Sequence, residues 1–454
     1  MTKHESDCAA RDPLTLFTND VDNRVAGEVL VGFQPEAAGK ASADMSSMFS
    51  SSPQIGIPSV DDVLADIGVQ SISAVRPLMP PVASGAGIFA QDLTQPVVEY
   101  FNIRFDPKRE IDTVVEALAG LGDVAHVEPN RWREAFSVSS AAPIRHHPDQ
   151  WGLEAINCSA AWGQTTGEPE ITVAVIDTGV DLDHVDLHPL LSNGRNCVEF
   201  GSGPVTPRPG WVFEGNYEFA GGPAEDEHGH GTHVAGIVCC NPTSGKSKIS
   251  GVTWSCRIMP VRALARIKRT SDGQIGAIGS AANIAAGIWW AVDHGAKVIN
   301  LSFGSPQLTE VERYALDYAI TQDVVVVAAM GNTYNSDPQF PAAFPGVIAV
   351  GAITASAQRA GFSSTGPHLA VYAPGVEILS TFLGNTQAKL TGTSMAAPHV
   401  AGVAALIRSL RPDLSGADVA RVIRDTARGA AVATGPGQPG AVGIVDAAAA
   451  LRDL

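Results

Sequence analysis

The amino-acid sequence predicts an α/β protein in which a smaller βαββαβ unit precedes a doubly wound, mostly parallel sheet. Three observations carry this expectation. From Trp151 onward, nearly continuous apolar runs alternate with segments of helical period, as expected for strands buried on both faces of a parallel sheet. Between residues 27 and 136, strand-like and helix-like segments follow in the order β, α, β, β, α, β. Hydrophobic residues make up 45% of the 454 residues and charged residues 17%, ample material for a large core.

Residues 1–26 are polar and are expected to form a disordered tail. Residues 28–33 (EVLVGF) read as a strand, and the Ser-, Gly- and Pro-rich stretch 35–58 as a loop. Val60, Val63, Leu64 and Ile67 recur at helical spacing. Residues 69–78 and 97–105 read as strands with a loose Pro- and Gly-containing segment between them. Ile111, Val114, Val115 and Leu118 form the apolar face of a second helix, and 124–128 closes the unit as a strand. This is the split, ferredoxin-like arrangement. A polar linker, 137–149, leads to a second domain, 150–454. There, 171–176 (ITVAVI), 298–301 (VINL), 324–329 (VVVVAA) and 347–350 (VIAV) are the expected parallel strands. Residues 280–294 and 310–322 are the expected helices. Sites in such sheets gather beyond the carboxyl ends of the strands.

The net charge is -17, from 47 acidic and 30 basic residues. This balance argues against nucleic acid as a partner, because phosphate backbones require clustered Lys and Arg. No apolar run approaches the roughly 20 residues needed to span a bilayer. The start, MTKHESDCAARDPLTLF, has no apolar core and does not read as a secretory signal. The expectation is a chain that stays in the cytoplasm or leaves by another route. The six cysteines are Cys8, Cys158, Cys197, Cys239, Cys240 and Cys256; with no C-x-x-C pair they read as free thiols rather than a zinc site.

Four motifs carry chemistry. In VAVIDTGVD, Asp177 directly follows an apolar strand, at the functional edge of the sheet; a turn aspartate is the plainer reading. In HGHGTHVAG, His230 stands where an apolar helix begins. A metal site of Asp226, His228, His230 and His233 is the rival, but the spacing lacks the H-E-x-x-H order. In GTSMAAPHVAG, Ser394 opens a helix, where free backbone N–H groups and the dipole favour an oxyanion; an ordinary capping serine is the alternative. In AAMGN, Asn332 follows a strand and Gly331, and its amide is a candidate oxyanion donor. Serine acyl transfer needs a nucleophile, a base, a group that fixes the base and an oxyanion hole, and the chain supplies all four in the order Asp, His, Asn, Ser.

IDTGVD, HGTHVAG, VINLSFG, AAMGN, FSSTGP, APG and GTSMAAPHVAG occur in that order, and with them the chain resembles the subtilase family over residues 151–450. The Asp, His, Ser order is that of subtilisin itself. The resemblance implies a subtilisin-like fold and a serine endopeptidase acting on polypeptides through an acyl-enzyme, with no cofactor required for the chemistry. It implies Asp177, His230 and Ser394 as the triad and Asn332 as the oxyanion donor, and it returns His228 and His233 to structural roles. It also implies that substrate binds as an added strand. One wall would be Ser302, Phe303 and Gly304, and the other a stretch near residues 272–276. The pocket for the residue before the cut would be lined by 302–304 and 328–331, including Ala329 and Gly331, with room for a sizeable apolar side chain. Gln339 stands at its floor where a smaller residue is expected.

Family members often carry a calcium ion after the His helix. Asp186 matches one ligand, but the loop 241–249 (NPTSGKSKI) has no carboxylate, and calcium needs several oxygens. GEVLVGF and VAHVEPN resemble a subtilase propeptide. That likeness implies a prodomain (27–136) that inhibits the enzyme intramolecularly and is removed by autocatalytic cleavage between residues 136 and 147. Two other classes fit less well. A scaffold with a dead site would lack a triad member. A lipase or esterase would more often show a G-x-S-x-G elbow, where Ser394 sits in G-T-S-M-A.

Overall fold

The computed structural model describes residues 23–34, 37, 54–75, 99–135, 138–139, 150–202, 205–243, 249–429, 442–452 and 454. The N-terminal unit comprises β1 (Arg24–Phe33), α1 (Pro58–Ile67), β2 (Ser71–Ala74), β3 (Tyr100–Arg104), α2 (Ile111–Ala119) and β4 (Val124–Ala135). Pro58 suits the first turn of α1, where no intrahelical N–H bond is lost, and Gly68 ends that helix in the left-handed region. The sheet order is β2-β3-β1-β4. Alternation along β1 turns Val29, Val31 and Phe33 toward a core with Val60, Leu64, Phe101, Ile103, Val114 and Leu118. Leu30 and Tyr100 project oppositely, into the core of the second domain.

Two boundaries differ from expectation. The strand predicted from residue 28 begins at Arg24, inside the stretch read as a tail; residues 1–22 lie outside the described residues. The strand predicted to end at residue 128 runs on to Ala135, because its far half is paired by the other domain. The four-stranded sheet is therefore not self-contained. It continues through β4 into β11, β10 and β8 as one eight-stranded sheet, with β13 also on β4.

The second domain adds β5 (Val138–Ser139), β6 (Thr172–Asp177), β7 (Arg195–Asn196), β8 (Trp211–Phe213), α3 (His230–Val238), β9 (Arg257–Arg262), β10 (Ala265–Arg269), β11 (Ile275–Ser280), α4 (Ala281–Asp293), β12 (Val298–Leu301) and β13 (Phe303–Gly304). There follow α5 (Glu310–Thr321), β14 (Val325–Ala329), β15 (Ile348–Ile353), β16 (Leu369–Pro374), β17 (Ile378–Phe382), β18 (Thr386–Thr391), α6 (Thr393–Leu410) and α7 (Gly416–Asp425). The four predicted apolar runs are β6, β12, β14 and β15, all in one parallel sheet of order β16-β15-β14-β12-β6-β9-β7. The chain leaves β6 toward β9 on one side and returns to β12 on the other. A crevice therefore opens beyond the carboxyl ends of β6 and β12, at the switch point. β9 (RIMPVR) escaped the apolar reading, since it carries Arg at both ends and a proline within. The α6 helix lies against β12, β14 and β15, so its amino end comes up beside the same crevice. Among the described residues, no helix is long and apolar enough to cross a membrane.

The α5 amino terminus receives no cap from its own Thr309 hydroxyl, which donates to Glu312 instead. Glu128 of β4 accepts from Glu310 N and Val311 N, each at 3.0 Å. Asn130 Oδ1 accepts from Ala282 N at 3.2 Å, in the first turn of α4. Two helices of the second domain are thus capped from the N-terminal unit, which satisfies otherwise orphaned N–H groups.

Candidate active site

Asp177 is the last residue of β6 and His230 the first of α3. Both side chains are fully buried, with His230 Nδ1 2.7 Å from Asp177 Oδ1. The same carboxylate oxygen accepts from Thr178 N at 2.7 Å. His230 is aimed by the turn before it. Asp226, rejected above with the metal reading, takes the N–H groups of His228 and Gly229 on one oxygen and the N–H and hydroxyl of Thr232 on the other. Gly229 adopts φ +102°, and a Cβ there would meet the Phe382 ring at 2.5 Å, so only glycine fits. His230 Nε2, buried, has no hydrogen-bond partner among the described residues.

Ser394 is the second residue of α6. Its hydroxyl donates to the Ser302 carbonyl at 2.8 Å rather than to His230. In return the Ser302 hydroxyl donates to the Ser394 carbonyl at 2.9 Å. That carbonyl would ordinarily accept from the N–H four residues on, but this residue is Pro398, which has none. Asn332 Oδ1 accepts from Thr393 N at 3.0 Å and from Thr393 Oγ1 at 2.9 Å. Because a backbone N–H only donates, the amide oxygen is fixed on that side and the nitrogen on the other. Thr393 Oγ1 also accepts from Gly331 N at 3.1 Å. Thr393 and Thr178 were not singled out in the sequence; their only signal is that each adjoins a motif residue.

The cleft is occupied by the chain itself. Along β13, Phe303 pairs with Ala135 and Gly304 with Glu134. Along β11, Ser280 pairs with Trp132, Gly279 with Arg133 and Ile278 with Glu134. Beyond the cleft, β5 pairs with β18, setting Val138 opposite Thr391 and Ser139 opposite Leu390. β4 thus lies between Phe303–Gly304, from the first expected wall, and Ile278–Ser280, whereas the stretch 272–276 does not pair with it. Asp272 sits instead in the turn of the β10–β11 hairpin, paired with Arg269. Close approach of β11 to the chain beneath requires Gly279, whose Cβ would lie 2.3 Å from the Ala263 carbonyl.

Ala329 and Gly331 lie at the carboxyl end of β14, and Gln339 packs directly on Gly331; a Cβ added to the glycine would meet Gln339 Cγ at 3.0 Å. Gln339 is 6% exposed, so the side chain against Gly331 is a buried amide.

No group of three His, Cys, Asp or Glu side chains able to hold a metal occurs among the described residues. Asp186 is buried, with Oδ2 3.9 Å from His184 Nδ1, and the Cys240 thiol lies 3.9 Å from its carbonyl. Calcium requires several oxygen ligands, and the described side chains around Asp186 include an imidazole and a thiol. Residues 244–248 of the altered loop lie outside the described residues. Cys158, Cys197, Cys239, Cys240 and Cys256 are free and buried, and burial pushes the Cys197 thiol up to about 12. Cys239 and Cys240, just beyond the end of α3, are raised likewise, so thiolate chemistry there is suppressed.

His233, fully buried on α3, has Nε2 2.9 Å from the Ile378 carbonyl and 3.0 Å from that of Ala388, tying the helix to β17 and β18. Burial pushes it down to about 3, despite those hydrogen bonds. A histidine whose pKa is lower folded than unfolded stabilises fully above its unfolded value of about 6.5, and that stability drains away as pH falls toward 3. The thermal midpoint of the chain is expected to drop over this window. In a His233→Gln variant the part of the slope due to His233 should vanish; an unchanged slope would place the acid lability elsewhere.

The sequence profile of the subtilase family matches residues 168–445. The chain is 38% identical to the thermophilic serine proteinase of Bacillus sp. strain AK1 over 299 residues, 66% of this chain and 67% of that protein. It is 36% identical to subtilisin DY of Bacillus licheniformis over 282 residues, 61% of this chain and 90% of the relative. Among solved structures, fervidolysin of Fervidobacterium pennivorans, described as a keratinolytic enzyme related to subtilisin, is similar with a TM-score of 0.67 and 26% identity. That likeness covers 97% of this chain and 63% of fervidolysin, so it spans both domains. A protease of Pseudoalteromonas arctica is similar with a TM-score of 0.56 and 28% identity, covering 66% of this chain and 96% of that one. With its own cleft built from the residues that the motifs mark, this chain belongs to the subtilase family and is a serine-type endopeptidase that acts on polypeptides.

Proposed function

We propose that the chain is the zymogen of this endopeptidase, that residues 27–136 are a ferredoxin-like propeptide lying in the cleft as a substrate would, and that Ser394 cuts the bond between Phe136 and Ser137. The observation that supports this is that β4 and β5, consecutive in the chain, pair with the segments adjoining Ser302 and Ser394. β4 reaches Ala135 opposite Phe303, and β5 resumes at Val138 opposite Thr391, three residues before Ser394. Continuing the β4 register by one residue puts position 136 opposite Ser302, whose carbonyl holds the Ser394 hydroxyl. Residues 136 and 137, and with them most of the expected linker and processing segment, lie outside the described residues. Phe136 agrees with a pocket for an apolar side chain.

In the reaction, Ser394 Oγ attacks the carbonyl carbon of residue 136 and its proton passes to His230 Nε2. Asp177, on Nδ1–H, holds the imidazole in the tautomer that leaves Nε2 basic and stabilises the imidazolium that forms. The tetrahedral oxyanion receives the Asn332 amide and the N–H at the start of α6. Collapse expels the amine of residue 137, which takes its proton from His230. Water then hydrolyses the acyl-enzyme with His230 again as base, leaving a free carboxylate and a restored serine. Because the hydroxyl is held by Ser302, it must first rotate toward Nε2.

The test is the amino-terminal sequence of the protein that accumulates from the full chain. A new terminus at Ser137 is expected; a terminus elsewhere in 137–149 would overturn the register. A second expectation concerns Asn332→Ala. Loss of one oxyanion donor should lower kcat by about 10²–10³-fold with KM little changed, the size of effect known for the matching asparagine of subtilisin. A loss confined to KM would remove the oxyanion role.

A further inference from the structure

Fourth before the proposed scissile bond stands Arg133, whose side chain is wholly buried in the second domain. Its Nε donates to Glu312 Oε1 at 2.7 Å and its Nη2 to Glu312 Oε2. Nη2 also donates to the Gln307 carbonyl at 3.0 Å, and Nη1 to the Trp132 carbonyl at 2.8 Å. Glu312, 3% exposed in the first turn of α5, takes one further hydrogen bond, from Thr309 Oγ1 at 2.6 Å. The guanidinium is thus met by a forked carboxylate and two carbonyls. Of these, only the Trp132 carbonyl belongs to the propeptide strand.

When β4 leaves, Glu312, Thr309 and the Gln307 carbonyl remain, forming a recess with one carboxylate, one hydroxyl and one carbonyl acceptor. A buried carboxylate that has lost its cation is strongly disfavoured, so the recess favours being filled again by a cation. The forked contact through both Nε and Nη2 matches a planar guanidinium and not the point charge of an ammonium. The cleft walls then fix which substrate residue enters. A strand taking the place of β4 between Gly279 and Gly304 sets its fourth side chain before the cut in the position of Arg133.

We propose that this pocket selects arginine as the fourth residue before the bond cut in polypeptide substrates, with Glu312 as the residue that determines the preference. The proposal rests on the protease reading and on the register that places the bond after residue 136. The other role such a pair can have is to anchor the propeptide alone.

The experiment uses the full chain after it has processed itself, with active Ser394 counted by a fluorophosphonate label. The probes are internally quenched peptides carrying its own sequence 133–139, Arg-Glu-Ala-Phe-Ser-Val-Ser, and versions with Lys or norleucine in place of the first residue. Arginine is expected to raise kcat/KM on the order of 10²-fold over norleucine and about 10-fold over lysine. In Glu312→Gln the arginine-to-norleucine ratio should collapse to within about threefold. If that variant does not fold, the peptide series on the unaltered enzyme decides by itself. With active Ser394 counted by labelling a separate aliquot, equal cutting of all the peptides by the unlabelled enzyme would overturn the proposal and leave the protease reading standing, with the pair serving only the propeptide. Absence of both labelling and cutting would overturn the protease reading and the proposal together.

Discussion

Ser394→Ala in the full chain is expected to keep its intact mass over hours, while the unaltered chain loses the residues up to Phe136. The reason is geometric. Ala135 is paired beside Ser302 and Val138 three residues before Ser394, so under the proposed register the first bond offered to the nucleophile is the chain's own. Removing Oγ leaves the Asp177–His230 pair and the two cleft walls unchanged, so the strand should stay bound and uncut. Hydrolysis of added peptides should fall on the order of 10⁶-fold, the loss found in subtilisin when its nucleophile is removed. Equal processing of both proteins would show that another protease makes the cut, and self-cleavage by Ser394 would fall while the endopeptidase assignment stood.

Asp177→Asn is expected to lower kcat on the order of 10⁴-fold without unfolding the protein. Asp177 Oδ1 accepts from both Thr178 N and His230 Nδ1, and Oδ2 is buried with no hydrogen-bond partner among the described residues. An asparagine that keeps its oxygen at Oδ1 leaves a buried NH₂ unsatisfied and removes the charge that stabilises the imidazolium. The flipped amide sets its NH₂ against the Thr178 N–H and offers a donor to Nδ1, which drives the ring proton to Nε2 and abolishes the base. Measured kcat on a peptide, with the thermal midpoint as a control for folding, checks this. A loss below tenfold in a folded protein would remove Asp177 from the mechanism.

Much of the parallel sheet was legible in the sequence because burial on both faces writes itself as an unbroken apolar run, as in β6, β12, β14 and β15. The candidate triad was legible for a related reason. Asp177, His230 and Ser394 each sit at the end of a strand or the start of a helix, where local pattern marks both the element and its boundary. β9 was not legible, since Arg257, Pro260 and Arg262 read as surface residues. Arg262 is in fact buried and paired with Glu227, and a partner 35 residues away leaves no trace in local periodicity.

Register was decided only by the tertiary structure. That β4 runs to Ala135, that its neighbour is Ile278–Ser280 and not the stretch near Asp272, and that Arg133 meets Glu312 across 179 positions all depend on which strands lie side by side. Side-chain pattern along one strand records how deeply it is buried; it carries no information on which backbone completes its hydrogen bonds. The sequence by itself thus marked much of the parallel sheet, the family and the candidate reacting groups. Only the folded chain determined which segment lies between β11 and β13, because backbone pairing between distant segments is set by their mutual fit.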